Sequence, residues 1–384
     1  MIWYLIILGM FLLLGCYTII LKKLGCDFTK IAFIICCFVL FLFAALRSVN
    51  VGADTAQYQW IFDWVKNLSF PQIYTSQSYT YWDAEYTYKI YNKLLSFISQ
   101  SSQTVTVANS VLLIAFLALL IRRQSPDWWL SIFLYLTLGF YQTALNLTPS
   151  SISSLIAMGA IPYAWGKKPL YYFLQIAVAM VIHQSALIFL PLYFIFKFQL
   201  TQKRFLILLG SGFILSMLYD ILQKPIAWVI PTSYQIYISS VEQIGITSQI
   251  YVWLVHVLLI MICWFAACRV RRRQEFFQNN KIGLYMFLIE SVMYFFAFEN
   301  KMFSRVSFLF SVYLIITIPN MLAFSIRKGV KETLYLNKNQ TTTRQKFSHF
   351  YYVLIVIVCI AQYILRMNVN NIGATIPYEF FFNY

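Results

Sequence analysis

Residues 171–196 read YYFLQIAVAMVIHQSALIFLPLYFIF. Apolar side chains run through the stretch almost unbroken, apart from His183-Gln184-Ser185 near its middle. It is longer than the roughly 20 residues one membrane span needs, and too short for two. Basic clusters lie on both sides: Lys22-Lys23, Arg122-Arg123, Lys167-Lys168, Lys203-Arg204, Arg269 with Arg271-Arg272-Arg273, and 327–346. Cytoplasmic loops collect Lys and Arg. A single crossing at 171–196 would turn every later loop over and send most of the 29 basic residues outward. A segment that enters and returns keeps about three quarters of them inside. The stretch is therefore expected to form a re-entrant hairpin, or two half-length helices, broken near His183. Broken backbone at membrane depth is tolerated only against protein or a watery cavity, and such places commonly carry sites.

The rest of the chain agrees with a lipid solvent. Of its 384 residues, 60% are hydrophobic and 11% charged, which a soluble domain of this size could not bury. Long apolar runs, rather than alternating ten-residue segments, select helices over a barrel. Further runs occur at about 2–21, 31–46, 104–121, 128–146, 150–165, 205–219, 249–268, 281–298, 303–322 and 349–366. The expectation is an all-α polytopic membrane protein, one membrane domain over 1–384, with about ten full spans plus the hairpin at 171–196. The N-terminus, the loop 47–103, residues 221–248 and 299–302, and the tail 367–384 are expected outside, and the basic loop 327–346 in the cytoplasm. Run 2–21 has neither a basic leader nor an A-x-A cleavage site and reads as a retained span. The net charge of +16 follows from the basic loops, so no nucleic-acid partner is implied. The seven cysteines show no metal spacing, and no Walker or Rossmann motif occurs, so neither metal nor cofactor is expected.

The loop 47–103 reads as structured. Asp54 stands as a helix N-cap with Gln57 three places on, and Tyr58, Ile61, Phe62 and Val65 share the following face. A second amphipathic segment places Ile90, Tyr91, Leu94, Leu95 and Ile98 on one face. Both are expected at the outer interface, covering a cavity. The aromatics Tyr58, Trp60, Trp64, Tyr74, Tyr79, Tyr81, Trp82 and Tyr86 form an interfacial belt by default, and can equally stack on sugars.

Charge is rare, so each charge near the outer face is a candidate. Arg47 ends the second run, and Asp54 follows across a turn at Gly52. A guanidinium can hold phosphate through two hydrogen bonds, and a carboxylate can accept a hydroxyl proton. The plainer reading is that Arg47 snorkels and Asp54 only caps a helix. His183, at the hairpin break, has the pKa range for proton transfer, or is a buried histidine bonded to a neighbouring helix. Lys301 and Arg305 lie four apart at the outer end of a late run, suited with Arg47 to cradle a diphosphate, or merely to snorkel. Glu290, mid-membrane, needs a partner. His256 reads as mid-span without polar company.

Four motifs in order carry a resemblance. Arg47–Tyr58 resembles the R-x4-G-x-D-T-x2-Y signature of the EpsG family, Wzy-like exopolysaccharide polymerases. His183-Gln-Ser185-Ala-Leu187 resembles its H-x-S-A-L stretch, Arg305 its late arginine, and Ile376-Pro377-Tyr378 its closing I-P-Y. The family's N-x2-R-Q is altered, since Asn146 is followed by Pro149 and Ser150 where Arg and Gln would stand. The resemblance implies a GT-C-like fold in the bacterial cytoplasmic membrane and a polyprenyl-diphosphate-linked oligosaccharide as substrate. Repeat units would be joined on the outer face, with a chain-length regulator and a flippase as possible partners. Arg47, Arg305 and Lys301 would hold the leaving diphosphate, Tyr58 would contact substrate, and His183 or Asp54 would take the acceptor's proton. Rival readings are a flippase for the same glycolipids, an O-antigen ligase-like transferase, and a membrane acyltransferase.

Overall fold

The computed structural model describes residues 1–75, 85–229, 246–269, 273–300, 302–332, 338–369 and 371–383. Regular structure among them is helical, with a single isolated β-bridge between Arg47 and Phe380. Five helices are long and apolar enough to cross a membrane: Ile2–Lys23, Gln103–Gln124, Ile250–Arg269, Met302–Ser325 and His349–Asn368. A sixth follows if Gln202–Met217 and Tyr219–Pro225, bent by 87°, count as one. Other expected spans are short or interrupted. Thr29–Ala45 has 17 residues. Gly139, in the left-handed conformation, separates Trp128–Thr137 from Phe140–Asn146, and Leu147 with ψ of 50° precedes Thr148–Gly159. A proline at the start of each explains why Thr148–Gly159 and Ile161–Trp165 begin anew, since its missing N–H is harmless in a first turn.

The chain forms two compact units. One comprises residues 1–124, 128–193 and 363–384, and contains the hairpin up to Tyr193. Helix Pro169–Ile182 ends at His183, whose backbone is extended (φ −161°, ψ 134°), and a 3-10 helix Gln184–Phe189 and helix Leu192–Ile195 follow. The Tyr172 hydroxyl donates to the Phe189 carbonyl at 2.6 Å, and the Tyr193 ring lies 5.4 Å from that of Tyr172. The chain thus returns to where the hairpin began. Tyr172, Ile176 and Ala179 are buried while Leu174, Val178 and Val181 are exposed, so an equally apolar helix has one face on protein and one on its surroundings.

The two interfacial helices differ. Thr55–Val65 buries Tyr58, Ile61, Phe62 and Val65, the expected face. Tyr86–Ser96 instead buries Tyr88, Lys89, Asn92 and Ser96, and exposes Leu94; Ile98 just beyond it is exposed too. The expected apolar face is thus only partly covered: Ile90, Tyr91 and Leu95 are half-buried, while Leu94 and Ile98 face outward. Its polar side makes bonds within: the Asn109 carboxamide donates to the Tyr88 hydroxyl at 3.3 Å, and Lys93 Nζ donates to the Lys66 carbonyl at 2.8 Å. Trp60 and Trp64 stack with ring centroids 5.9 Å apart. Tyr79, Tyr81 and Trp82 lie outside the described residues.

The second unit comprises residues 125–127 and 194–362. Helix Lys281–Ala297 is largely buried. His256 is not without polar company: its Nδ1 is hydrogen-bonded to Glu290 Oε1, and both side chains are fully buried. Trp253 Nε1 donates to Ser291 Oγ at 2.9 Å and Ser307 Oγ to the Glu290 carbonyl at 3.3 Å, tying three helices together. The basic stretch 327–346 is largely helical backbone, since Leu314–Glu332 and Lys338–Val369 extend into it from either side.

Candidate functional site

The motif residues of the first unit meet around the break at Asn146–Thr148. After helix Thr29–Ala45 the chain turns through residues 46–54 and bonds backbone to backbone with the tail. Phe381 N–H donates to the Leu46 carbonyl (3.0 Å), Ser48 N–H to Glu379 (2.9 Å), Gly52 N–H to Ala374 (3.0 Å) and Ala53 N–H to Gly373 (3.1 Å). Gly52 (φ +94°) and Gly373 (φ +63°) hold conformations that disfavour a side chain. A Cβ on Gly373 would stand 3.0 Å from the Gln142 carbonyl, and one on Gly52 3.1 Å from that of Leu145. The Tyr378 hydroxyl reaches back to the Phe43 carbonyl at 2.7 Å. Asn146 is the common anchor. Its side-chain Oδ1 accepts the Asp54 backbone N–H at 2.8 Å, and its carbonyl accepts the Tyr58 hydroxyl at 3.0 Å.

Arg47 does not snorkel; it is 1% exposed. One terminal nitrogen donates to the Ala44 carbonyl at 2.7 Å, the other to the Leu145 carbonyl at 3.3 Å and Thr148 Oγ1 at 3.5 Å. These carbonyls end helices Thr29–Ala45 and Phe140–Asn146, where partial negative charge attracts a cation without neutralising it. Among the described residues no carboxylate pairs with Arg47, and its Nε is buried with no partner. Asp54 occupies the N-cap position of Thr55–Val65, but its side chain makes no capping hydrogen bond.

The hairpin tip joins the same segment one helical turn on. His183 Nε2 lies 3.3 Å from Ser150 Oγ, and Ser153 Oγ donates to the His183 carbonyl at 3.0 Å. Its Nδ1 accepts the Ser185 backbone N–H at 3.1 Å, making His183 the cap of the 3-10 helix. Glu85 stands beside it, Oε1 being 3.8 Å from Nδ1, and its two oxygens accept the Gln184 N–H at 2.9 and 3.2 Å. Burial pushes the Glu85 carboxyl up to about 6, against a smaller downward pull from that N–H.

The EpsG family profile matches residues 30–380, a range that takes in all four motifs. The chain belongs to the EpsG family. No curated protein and no solved structure matches it. Membership supports a polysaccharide-polymerase type of role, and the apolar helices make this a membrane protein.

In this EpsG-family chain, then, Arg47, Asp54, Tyr58 and His183 gather about residues 146–150. Arg305 is described in the other unit, exposed on the first turn of helix Met302–Ser311, and Lys301 lies outside the described residues. Sequence reasoning missed Glu85 and the anchoring role of Asn146. Glu85 carried a faint signal, being one of only 13 acidic residues and standing immediately before an amphipathic segment. Asn146 was visible as the first residue of the altered family pattern. In place of that pattern's Arg-Gln, Ser150 meets the histidine and Pro149 opens a helix.

Proposed function

We propose that this protein polymerises polyprenyl-diphosphate-linked oligosaccharide repeat units into exopolysaccharide, capsule or O-antigen on the outer face of the bacterial cytoplasmic membrane. Family membership supports the polymerase class. The observation that carries the mechanism is Arg47: a buried guanidinium, with no carboxylate partner among the described residues, gathered with Asp54, Tyr58 and His183. A buried charge is costly unless an opposite charge is supplied, and a diphosphate supplies one. Donor orientation and stabilisation of the leaving diphosphate fall to Arg47, with Arg305 and Lys301 as further cations. Tyr58 contacts substrate. Asp54 and the hairpin tip at His183 are the candidate places for proton removal from the acceptor hydroxyl. The activated donor stores the free energy of the new bond. In this reading each interrupted helix pair crosses the bilayer once, giving about ten spans besides the hairpin and a GT-C-like fold.

The test is a profile of lipid-linked glycans in a strain lacking the gene, beside its complemented parent. Single completed repeats should accumulate on the outer leaflet while polymer disappears. Repeats trapped on the inner leaflet would make the protein a flippase, and polymer stranded on its carrier would make it a ligase.

A further inference from the structure

We infer that Glu85, rather than His183, receives the proton of the acceptor hydroxyl, and that the imidazole holds the hairpin tip in shape. This deepens the polymerase reading and rests on it.

A neutral imidazole has one lone pair and one N–H. A backbone amide only donates, so the Ser185 N–H at 3.1 Å places the lone pair on Nδ1 and the ring proton on Nε2, facing Ser150 Oγ. Ser185 Oγ crowds the same Nδ1 at 2.9 Å. His183 therefore presents no lone pair to a substrate. A second proton on Nδ1 would set N–H against N–H and undo the cap that shapes the 3-10 helix.

Glu85 is built the opposite way. A carboxylate accepts at about four positions. Among the described residues it is hydrogen-bonded only to the one Gln184 N–H, which leaves acceptor positions open. Its side chain is 16% exposed, unlike the sealed His256–Glu290 pair, so a hydroxyl can reach it. Burial makes it a stronger base than an ordinary carboxylate, with a pKa near working pH, where proton acceptance is most effective. His183 is the titratable group that faces it. The charged side chains of the neighbouring helices are engaged elsewhere: Lys66 with Asp63, Lys89 over the Trp64 ring, Lys93 on the Lys66 carbonyl.

In the step itself the acceptor oxygen bonds to the donor's anomeric carbon. The bond from that carbon to the diphosphate oxygen breaks, and its electron pair leaves with the lipid diphosphate. Glu85 takes the hydroxyl proton and releases it to water before the next addition.

Glu85→Gln separates this role from simple capping, because the amide oxygen still accepts the Gln184 N–H. The experiment compares full-length wild type, Glu85→Gln, Glu85→Asp and Asp54→Asn in proteoliposomes. The donor is the lipid-linked repeat isolated from the deletion strain, and rates are taken from pH 5 to 8. The wild-type rate should fall about tenfold per pH unit below about 6, as the base is protonated. Glu85→Gln should lose about 100-fold in kcat at pH 7.5 with KM little changed, and its rate should no longer fall towards acid pH. Glu85→Asp should keep the acid fall at a lower rate. Near-wild-type turnover and an unchanged acid fall in Glu85→Gln would overturn the inference while leaving the polymerase intact. So would disappearance of the acid fall in Asp54→Asn alone. A wild-type protein that makes no polymer would remove the polymerase reading itself, and this role with it.

Discussion

At the scale of single residues, the informative feature is how each charge is housed. Arg47 uses both terminal nitrogens on carbonyls from two helices, a fork that one ammonium cannot reproduce. Arg47→Lys should therefore cut polymer synthesis by about 100-fold, as loss of an oriented charge-stabilising donor does. The matching check is polymer yield normalised to inserted protein. The His256–Glu290 pair makes the opposite case, a structural one. His256→Ala would leave the Glu290 carboxyl buried without its ring partner and should cost about 3–5 kcal/mol. A lowered Tm in detergent, with the double variant His256→Leu/Glu290→Leu recovering most of it, is the expected outcome. Scarcity of charge made Arg47, Asp54 and Glu290 legible in the sequence. Glu85 was not, because its significance comes from a hairpin tip almost 100 residues further on, at 99 positions' separation from Gln184.

Elements show where pattern is sufficient and where it is not. The hairpin at 171–196 was legible because charge balance and length both rejected a single crossing. A topology reporter fused after Arg273 should be cytoplasmic, and an extracytoplasmic signal there would contradict the hairpin's place in the membrane. The orientation of Tyr86–Ser96 was not legible. Periodicity reveals that a helix has two unlike faces, but which one meets protein depends on the solvent, and at a lipid interface the apolar face can look outward. The helix break at Gly139 was likewise hidden inside the apolar run 128–146, since hydropathy averages over the backbone angles that interrupt a helix, whereas the break at Leu147 falls between that run and the next. At Gly373 those angles are decisive. Gly373→Ala should destabilise the fold by about 1–3 kcal/mol and abolish polymer synthesis, because the new Cβ meets the Gln142 carbonyl in a strained conformation. Thermal unfolding of the purified variant checks the first part and glycan profiling the second.

Across the whole molecule, the sequence announced a helical membrane protein and four motifs, but not how the first and last motifs relate. Nothing in hydropathy signals that the residues after the second helix pair backbone to backbone with the final dozen. That pairing sets an order on the protein's birth. Tyr378 meets Phe43 only after 335 further residues have been made, roughly 20 to 70 s at usual ribosome speeds. Until then the backbone of Leu46, Ser48, Gly52 and Ala53 lacks the partners that the tail supplies. A chain whose synthesis stops short therefore carries every early motif and yet no assembled site. Quality-control proteases are offered an unpaired segment to recognise in such a chain.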